Sequence, residues 1–263
     1  MQGWAQVVLT LIIGVVTGAL SSAVGVGGAV VSTPGIRALG ATAIEGVGST
    51  LPSILPAAFT ATLRYLREGL VNLEVVARVA PWGALAAIGG AFTSAQFPGG
   101  GHVQMLLTAV LVMYTAHTTW KGRNKSQSDD VPRENARAPE SVWRCAAIGL
   151  GAGTLSGFLG IGGGVLMVPT FQRWLRLGLK QTVATSLMCV GIIAIPGTIA
   201  HVALGTVNWS FAVPLGFGVI PGAHFGSRLT VAVSEIQLRA VISLSLGFLG
   251  VGYFLAESVA LAS

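Results

Sequence analysis

The chain has 263 residues, 52% of them hydrophobic and 9% charged, with a formal net charge of +6 and a mean hydropathy of +0.76. A soluble domain carries about 25% charged residues, so a water-soluble enzyme or binding module is excluded and an integral membrane protein is indicated. In that setting the positive charge reports on orientation across the bilayer before it reports on nucleic acid, and no nucleic-acid partner is expected.

Apolar stretches run at 7–36, 46–63, 79–97, 103–120, 142–172, 182–204, 209–227 and 240–256. Most are close to the roughly 20 residues that a spanning helix needs. Backbone polar groups in lipid must be satisfied within helices, so the expected fold is all-α and polytopic, with the lipid bilayer as its first partner. The opening residues, Met1 to Trp4, lack a basic n-region, and the apolar run that follows continues far past signal-peptide length. It reads as the first membrane element.

Within that first stretch lies Gly25-Val26-Gly27-Gly28-Ala29-Val30, ending at Pro34, and the motif returns as Gly160-Ile161-Gly162-Gly163-Gly164-Val165, ending at Pro169. Residues 13–34 laid over 148–169 without a gap agree at 10 of 22 positions, Ser21 among them. After a one-residue insertion the correspondence continues, with Val47-Gly48-Ser49-Thr50-Leu51 facing Val183-Ala184-Thr185-Ser186-Leu187 and Gly69-Leu70-Val71-Asn72 facing Gly205-Thr206-Val207-Asn208. The chain is built twice. Residues 1–120 form a first membrane repeat and 142–263 a second, joined by the polar segment 121–141, whose mixed charge, serines and prolines read as a solvated linker.

Basic residues orient the halves. If 7–36 and 142–172 were each one helix, the 15 Lys and Arg residues would divide 9 against 6 across the membrane, a poor positive-inside pattern. If each Gly-interrupted stretch goes in and returns as a hairpin of two short helices, the division becomes 14 against 1, with only Arg37 opposite. Thirty helical residues extend about 45 Å, too long for one untilted crossing and short for two. Each repeat then consists of a broken-helix hairpin and three spanning helices, and the two repeats are inverted about an axis in the membrane plane. Both termini fall outside and the linker is cytoplasmic.

Gly-interrupted apolar segments at corresponding positions of inverted repeats point to a substrate site. A helix that begins in the membrane at Gly27 and Gly28, or at Gly162, Gly163 and Gly164, presents unpaired N–H groups and the positive end of its dipole, which suit an anion. The competing reading is close packing, which Gly14 with Gly18, and Gly149 with Gly153 and Gly157, resemble more closely. No βαβ unit accompanies the motif, so a dinucleotide fingerprint is not expected.

Ser49, Thr50, Thr185 and Ser186 are paired hydroxyls at repeat-related positions. They are either donors to substrate oxygens or local caps and back-bonds to helical carbonyls. Asn72 and Asn208 read as caps of the helices that follow. His201, opposite Tyr65 in the other repeat, and His224 are intramembrane histidines, open to a proton role or to simple interior bonding. Every carboxylate in an apolar half sits towards a loop end, so the usual Asp/Glu relay is missing. Cys145 and Cys189 lack any metal or disulfide spacing, and neither metal nor cofactor is expected. No Ser/His/Asp or His/Glu constellation supports an enzyme.

The doubled GVGGAVVSTP and GIGGGVLMVP, then GSTL and ATSL, then Gly-x-Val-Asn, resemble the TauE/SafE sulfite exporter family of membrane transporters. The resemblance covers both halves and omits the linker and the ends. It departs at Ala29, where the second half has Gly164, and in the order Ser-Thr against Thr-Ser, so unequal half-sites are expected. It implies movement of small sulfur-containing anions, sulfite or organosulfonates, across the cytoplasmic membrane of a prokaryote. The substrate-binding set is then Gly25, Gly27, Gly28, Ser49, Thr50, Gly160, Gly162, Gly163, Gly164, Thr185, Ser186 and His201. Export by alternating access is expected; an anion channel and a proton-coupled importer of the same substrates stay open, and a homo-oligomer is compatible with the sequence.

Overall fold

A computed structural model describes residues 3–96, 102–121 and 142–262, so the linker segment 122–141 lies outside the described residues. All regular structure among them is helical: α1 Trp4–Val24, α2 Ala29–Ala38, α3 Ala43–Arg67, α4 Leu73–Gln96, α5 His102–Lys121, α6 Val142–Leu159, α7 Gly164–Trp174, α8 Leu179–Ala203, α9 Trp209–Ala232 and α10 Glu235–Ala262. Five of the described helices, α1, α4, α6, α8 and α10, are long and apolar enough to cross a membrane. Large apolar side chains such as Leu85, Ile199, Phe217 and Phe248 lie exposed on the outer faces. All six tryptophans are exposed, and five of them stand at or next to helix ends: Trp4, Trp120, Trp143, Trp174 and Trp209. That is where amphipathic rings sit at a membrane–water boundary.

Both Gly-interrupted stretches are broken helix pairs. α2 runs back along α1, since a Cβ on Gly28 would lie 2.4 Å from Thr17 and one on Gly35 would lie 2.7 Å from Ile13. α7 returns along α6 in the same way, Gly163 against Ala152 and Leu166 against Gly151. Each short helix carries its repeated proline, Pro34 or Pro169. A proline frees the carbonyl four residues before it; in α7 that carbonyl, Val165 O, accepts from Thr115 Oγ1 of α5 at 2.9 Å.

The two halves interlock. The most extensive packing is α1 on α9 and α4 on α6, followed by α5 on α10, α3 on α9, α4 on α8 and α3 on α8. Exchanging the halves carries this set of pairs onto itself, the reciprocity of a self-complementary contact. Glycines make the two tightest seams. A Cβ on Gly18 would lie 2.2 Å from Val219 O, on Gly222 2.0 Å from Val15 O, on Gly153 2.1 Å from Gly83 O and on Gly157 2.0 Å from Ala87 O. With no hydrophobic drive between helices in lipid, such backbone proximity is what holds them together. α3 and α8 pack on each other, and both contribute to one apolar core built from the two halves, with Leu51, Tyr65, Leu187 and Val190 fully buried.

Gly153→Ala should therefore push α4 from α6 and destabilise the protein by about 1–3 kcal/mol, the usual cost of overpacking. Gly247→Ala, in open space on α10, should be neutral or slightly stabilising. Melting temperatures of the two detergent-solubilised variants check the pair, and equal values would show that the seam is not tight.

Candidate functional site

The site grows from the ends of α1 and α6. Each helix closes on a left-handed glycine whose N–H returns to a serine carbonyl: Gly25 (φ +73°) to Ser21 O at 2.8 Å, and Gly160 (φ +70°) to Ser156 O at 2.9 Å. Two residues on, Gly27 and Gly162 also have positive φ, +86° and +82°, a conformation costly for any residue with a Cβ. The two loops touch. A Cβ on Gly27 would meet Ile161 O at 2.5 Å, and one on Gly164 would meet Gly25 O and Val26 O at 2.5 Å. Gly27 also lies against Val190, and Gly162 against Ile54, close to the middle of the 25-residue helices α8 and α3.

The halves differ here. Gly163 is left-handed (φ +72°), whereas Gly28 is right-handed (φ −67°). Gly164 has no room for a methyl group, while its counterpart Ala29 is accommodated and buried. The Ala29/Gly164 departure in the sequence thus marks two loops with different backbones.

Every hydroxyl singled out from the sequence is buried and lies beside these loops or the helix starts facing them. Ser186 Oγ donates to Gly25 O at 2.8 Å and to Val183 O at 3.0 Å. Thr50 Oγ1 donates to Val47 O at 3.0 Å and reaches Gly160 O at 3.5 Å. Ser49 Oγ accepts from Asn208 N at 2.8 Å, and Thr185 Oγ1 accepts from Asn72 N at 3.0 Å. The start of α3 therefore lies beside the residue that leads into α9, and the start of α8 beside the residue that leads into α4. Asn72 and Asn208 cap those helices, accepting from Val75 N and Ser210 N, each at 3.1 Å.

His201 and Tyr65, at equivalent repeat positions, perform one task. Tyr65 Oη donates to Ser22 O at 2.6 Å, and His201 Nε2 lies 2.9 Å from Gly157 O. Ser22 and Gly157 are themselves equivalent, and each belongs to the last turn of a broken helix, whose carbonyls have no partner in the helix. A carbonyl only accepts, so His201 Nε2 carries the proton, and Nδ1 meets Thr206 Oγ1 at 2.8 Å. His224 lies on an exposed face of α9, away from this cluster.

The backbone N–H groups of Val26 to Val30 and of Ile161 to Val165 donate to no group among the described residues, and all ten residues are buried. Three hydroxyls nearby share this condition: Thr17, Ser21 and Ser156, which are 1%, 3% and 0% exposed. Buried polar groups are normally paired. Here the unpaired ones are donors, gathered at the N-termini of α2 and α7 where the dipoles add positive potential, and no charged side chain belongs to either loop. The arrangement can accept an anion without a cationic side chain. Sequence reasoning did not single out Ser21 and Ser156 as site residues, although their identity across the repeat was on view.

Comparison with known proteins gives a consistent picture. A family model described as Sulfite exporter TauE/SafE matches residues 10–253. The probable membrane transporter protein YunE of Bacillus subtilis (strain 168) is 27% identical over 258 residues, 89% of this chain and 91% of that one. The probable membrane transporter protein YdhB of the same organism is 22% identical over 204 residues, 76% of this chain and 80% of that one. The probable membrane transporter protein MJ0441 of Methanocaldococcus jannaschii is 27% identical over 111 residues, 39% of this chain and 41% of that one. No solved structure matches.

Because Tyr65 and His201 each satisfy a buried carbonyl, Tyr65→Phe and His201→Phe should each lower stability by about 1–3 kcal/mol, the cost of leaving such a group unpaired. Unchanged melting temperatures in detergent would remove the capping role.

Proposed function

As the chain belongs to the sulfite exporter TauE/SafE family of membrane transporters, we propose that it is a secondary transporter of small sulfur-containing anions, sulfite or organosulfonates, exporting them across the cytoplasmic membrane. The anion binds where the two glycine loops meet. The observation that carries this reading is the set of buried, unpaired donors at Val26 to Val30 and Ile161 to Val165.

In the same proposal residues 1–120 and 142–263 are inverted repeats, the linker 121–141 is cytoplasmic and both termini lie outside. The return of α2 along α1 and of α7 along α6 supports the hairpin topology that gathers 14 of 15 basic residues on one side. The start of α3 beside the entry to α9, and the start of α8 beside the entry to α4, supports opposite orientation of the halves. Each loop is braced from both halves: Gly25 by Ser186 of the second while Ser22 is held by Tyr65 of the first. Rocking one repeat against the other then changes both loops together, as alternating access about a central site requires.

An inside-negative potential contributes about 2.3 kcal/mol per charge per 100 mV, enough to expel a monovalent anion against a gradient of roughly 50-fold. No coupling ion is needed. The engagement of both His201 ring nitrogens supports this, since the ring is already committed to Gly157 and Thr206.

Flux of labelled sulfite and methanesulfonate in proteoliposomes, with the potential imposed in either sign at equal pH, tests the proposal. Saturable, potential-driven flux with substrate counterflow is expected. Flux that never saturates would indicate a channel, flux only under a pH gradient would indicate proton coupling, and no flux of any tested anion would overturn the substrate class.

A further inference from the structure

The geometry points to Ser21 and Thr17 as anion-binding side chains of the first glycine loop and to Ser156 as their single counterpart on the second, making the first loop the stronger half-site. This rests on the anion site proposed above and adds to it the hydroxyls that discriminate between its halves.

Ser21 sits one turn before Gly25, in the last turns of α1, and its Cβ lies 3.6 Å from where a Cβ on Gly28 would be. It lines a narrow, open-sided, largely apolar cleft between α1, α2 and α10, together with Gly27 and Gly28 and, across it, Ser245, Leu246 and Leu249. Its hydroxyl has no partner among the described residues, and the residue is 3% exposed. Thr17, one turn earlier, rests its methyl on Gly28, and its hydroxyl is likewise unpartnered. Both side chains therefore lie against Gly28, one of the residues that supply the free amides at the start of α2. A helix N-terminus alone would be weak ground; unpaired buried hydroxyls beside it are a second and separate sign of a missing acceptor.

The second half repeats the pattern with one donor fewer. Ser156 holds the position of Ser21, closes the same left-handed turn through its carbonyl to Gly160 N at 2.9 Å, and has an unpartnered, fully buried hydroxyl. The place of Thr17 is taken by Ala152, which lies against Gly163 as Thr17 lies against Gly28. Other hydroxyls of α1 bond carbonyls one turn back, Ser22 to Gly18 O and Thr10 to Gln6 O, each at 2.7 Å, so back-bonding is available to a hydroxyl here. Ser21 and Ser156 do not use it.

The sign of the stability change separates binding from packing. Removing a hydroxyl that has no partner costs no hydrogen bond and relieves a buried polar group, so Ser21→Ala, Ser156→Ala and Thr17→Val should leave the ligand-free melting temperature unchanged or raised. Removing a donor to a bound anion should weaken binding about tenfold for each hydroxyl. Titration of the detergent-solubilised full chain with sulfite, and in parallel with methanesulfonate, is expected to show about tenfold weaker binding for Ser156→Ala and about 100-fold for the Thr17→Val/Ser21→Ala double variant. If wild type binds either anion and the variants bind it equally well, the hydroxyls are not ligands and the inference is overturned while the anion site stands. A lowered ligand-free melting temperature with unchanged binding assigns them to packing and also overturns it. A larger effect of Ser156→Ala than of the double variant reverses the ranking of the halves. Absence of binding and of flux in wild type removes the anion site itself, and this inference with it.

Discussion

Breaking a helix inside a membrane strands backbone groups that lipid cannot solvate, and the rest of this structure follows from how that debt is distributed. Several of the stranded carbonyls are met. Ser22 O is met by Tyr65, Gly25 O by Ser186, Gly157 O by His201 and Val165 O by Thr115. The stranded amides of Val26 to Val30 and Ile161 to Val165 meet no acceptor among the described residues. Satisfying acceptors while leaving donors open gives these helix starts a positive character with no positively charged side chain, an arrangement suited to an anion without an ion pair.

That distribution depends on the interlocking of the halves. α3 and α8 reach both loops in a frame where α1 packs on α9 and α4 on α6 at backbone distance, through Gly18 on Val219, Gly222 on Val15 and Gly153 on Gly83. Glycine thus serves two separate purposes in this chain. In the seams it removes bulk so that helices approach; in the loops at Gly25, Gly27, Gly160, Gly162 and Gly163 it permits positive φ. The halves are matched without being identical. Tyr65 and His201 perform the same capping with different chemistry, and Thr17 against Ala152, or Ala29 against Gly164, gives the two loops different surroundings.

Much of this was legible in the sequence because it is carried by pattern. Apolar run lengths set an all-helical membrane protein, the repeated glycines and prolines located both breaks, and the Gly14–Gly18 and Gly149–Gly153–Gly157 spacings marked the seams. The Asn72 and Asn208 caps followed from residue type and position alone. What each hydroxyl does was not legible, since the same Ser or Thr can donate to a ligand, accept from an amide or bond back to its own helix. Ser49 and Thr185 accept from the amides of Asn208 and Asn72, Thr50 and Ser186 tie down the loops, and Ser21 and Ser156 are left unpartnered.

The sequence by itself determined the helical class, the duplication, the breaks at the two glycine motifs and the family, because these rest on local composition, spacing and self-similarity along the chain. Only the tertiary structure decided which partner each buried polar group meets, that His201 pairs in function with Tyr65, and that Ser21 and Ser156 stay free. Those outcomes depend on contacts between residues far apart in the chain, such as Tyr65 with Ser22, Ser186 with Gly25 and Asn208 with Ser49, and a hydrogen bond is fixed by distance and direction in space, which no one-dimensional pattern records.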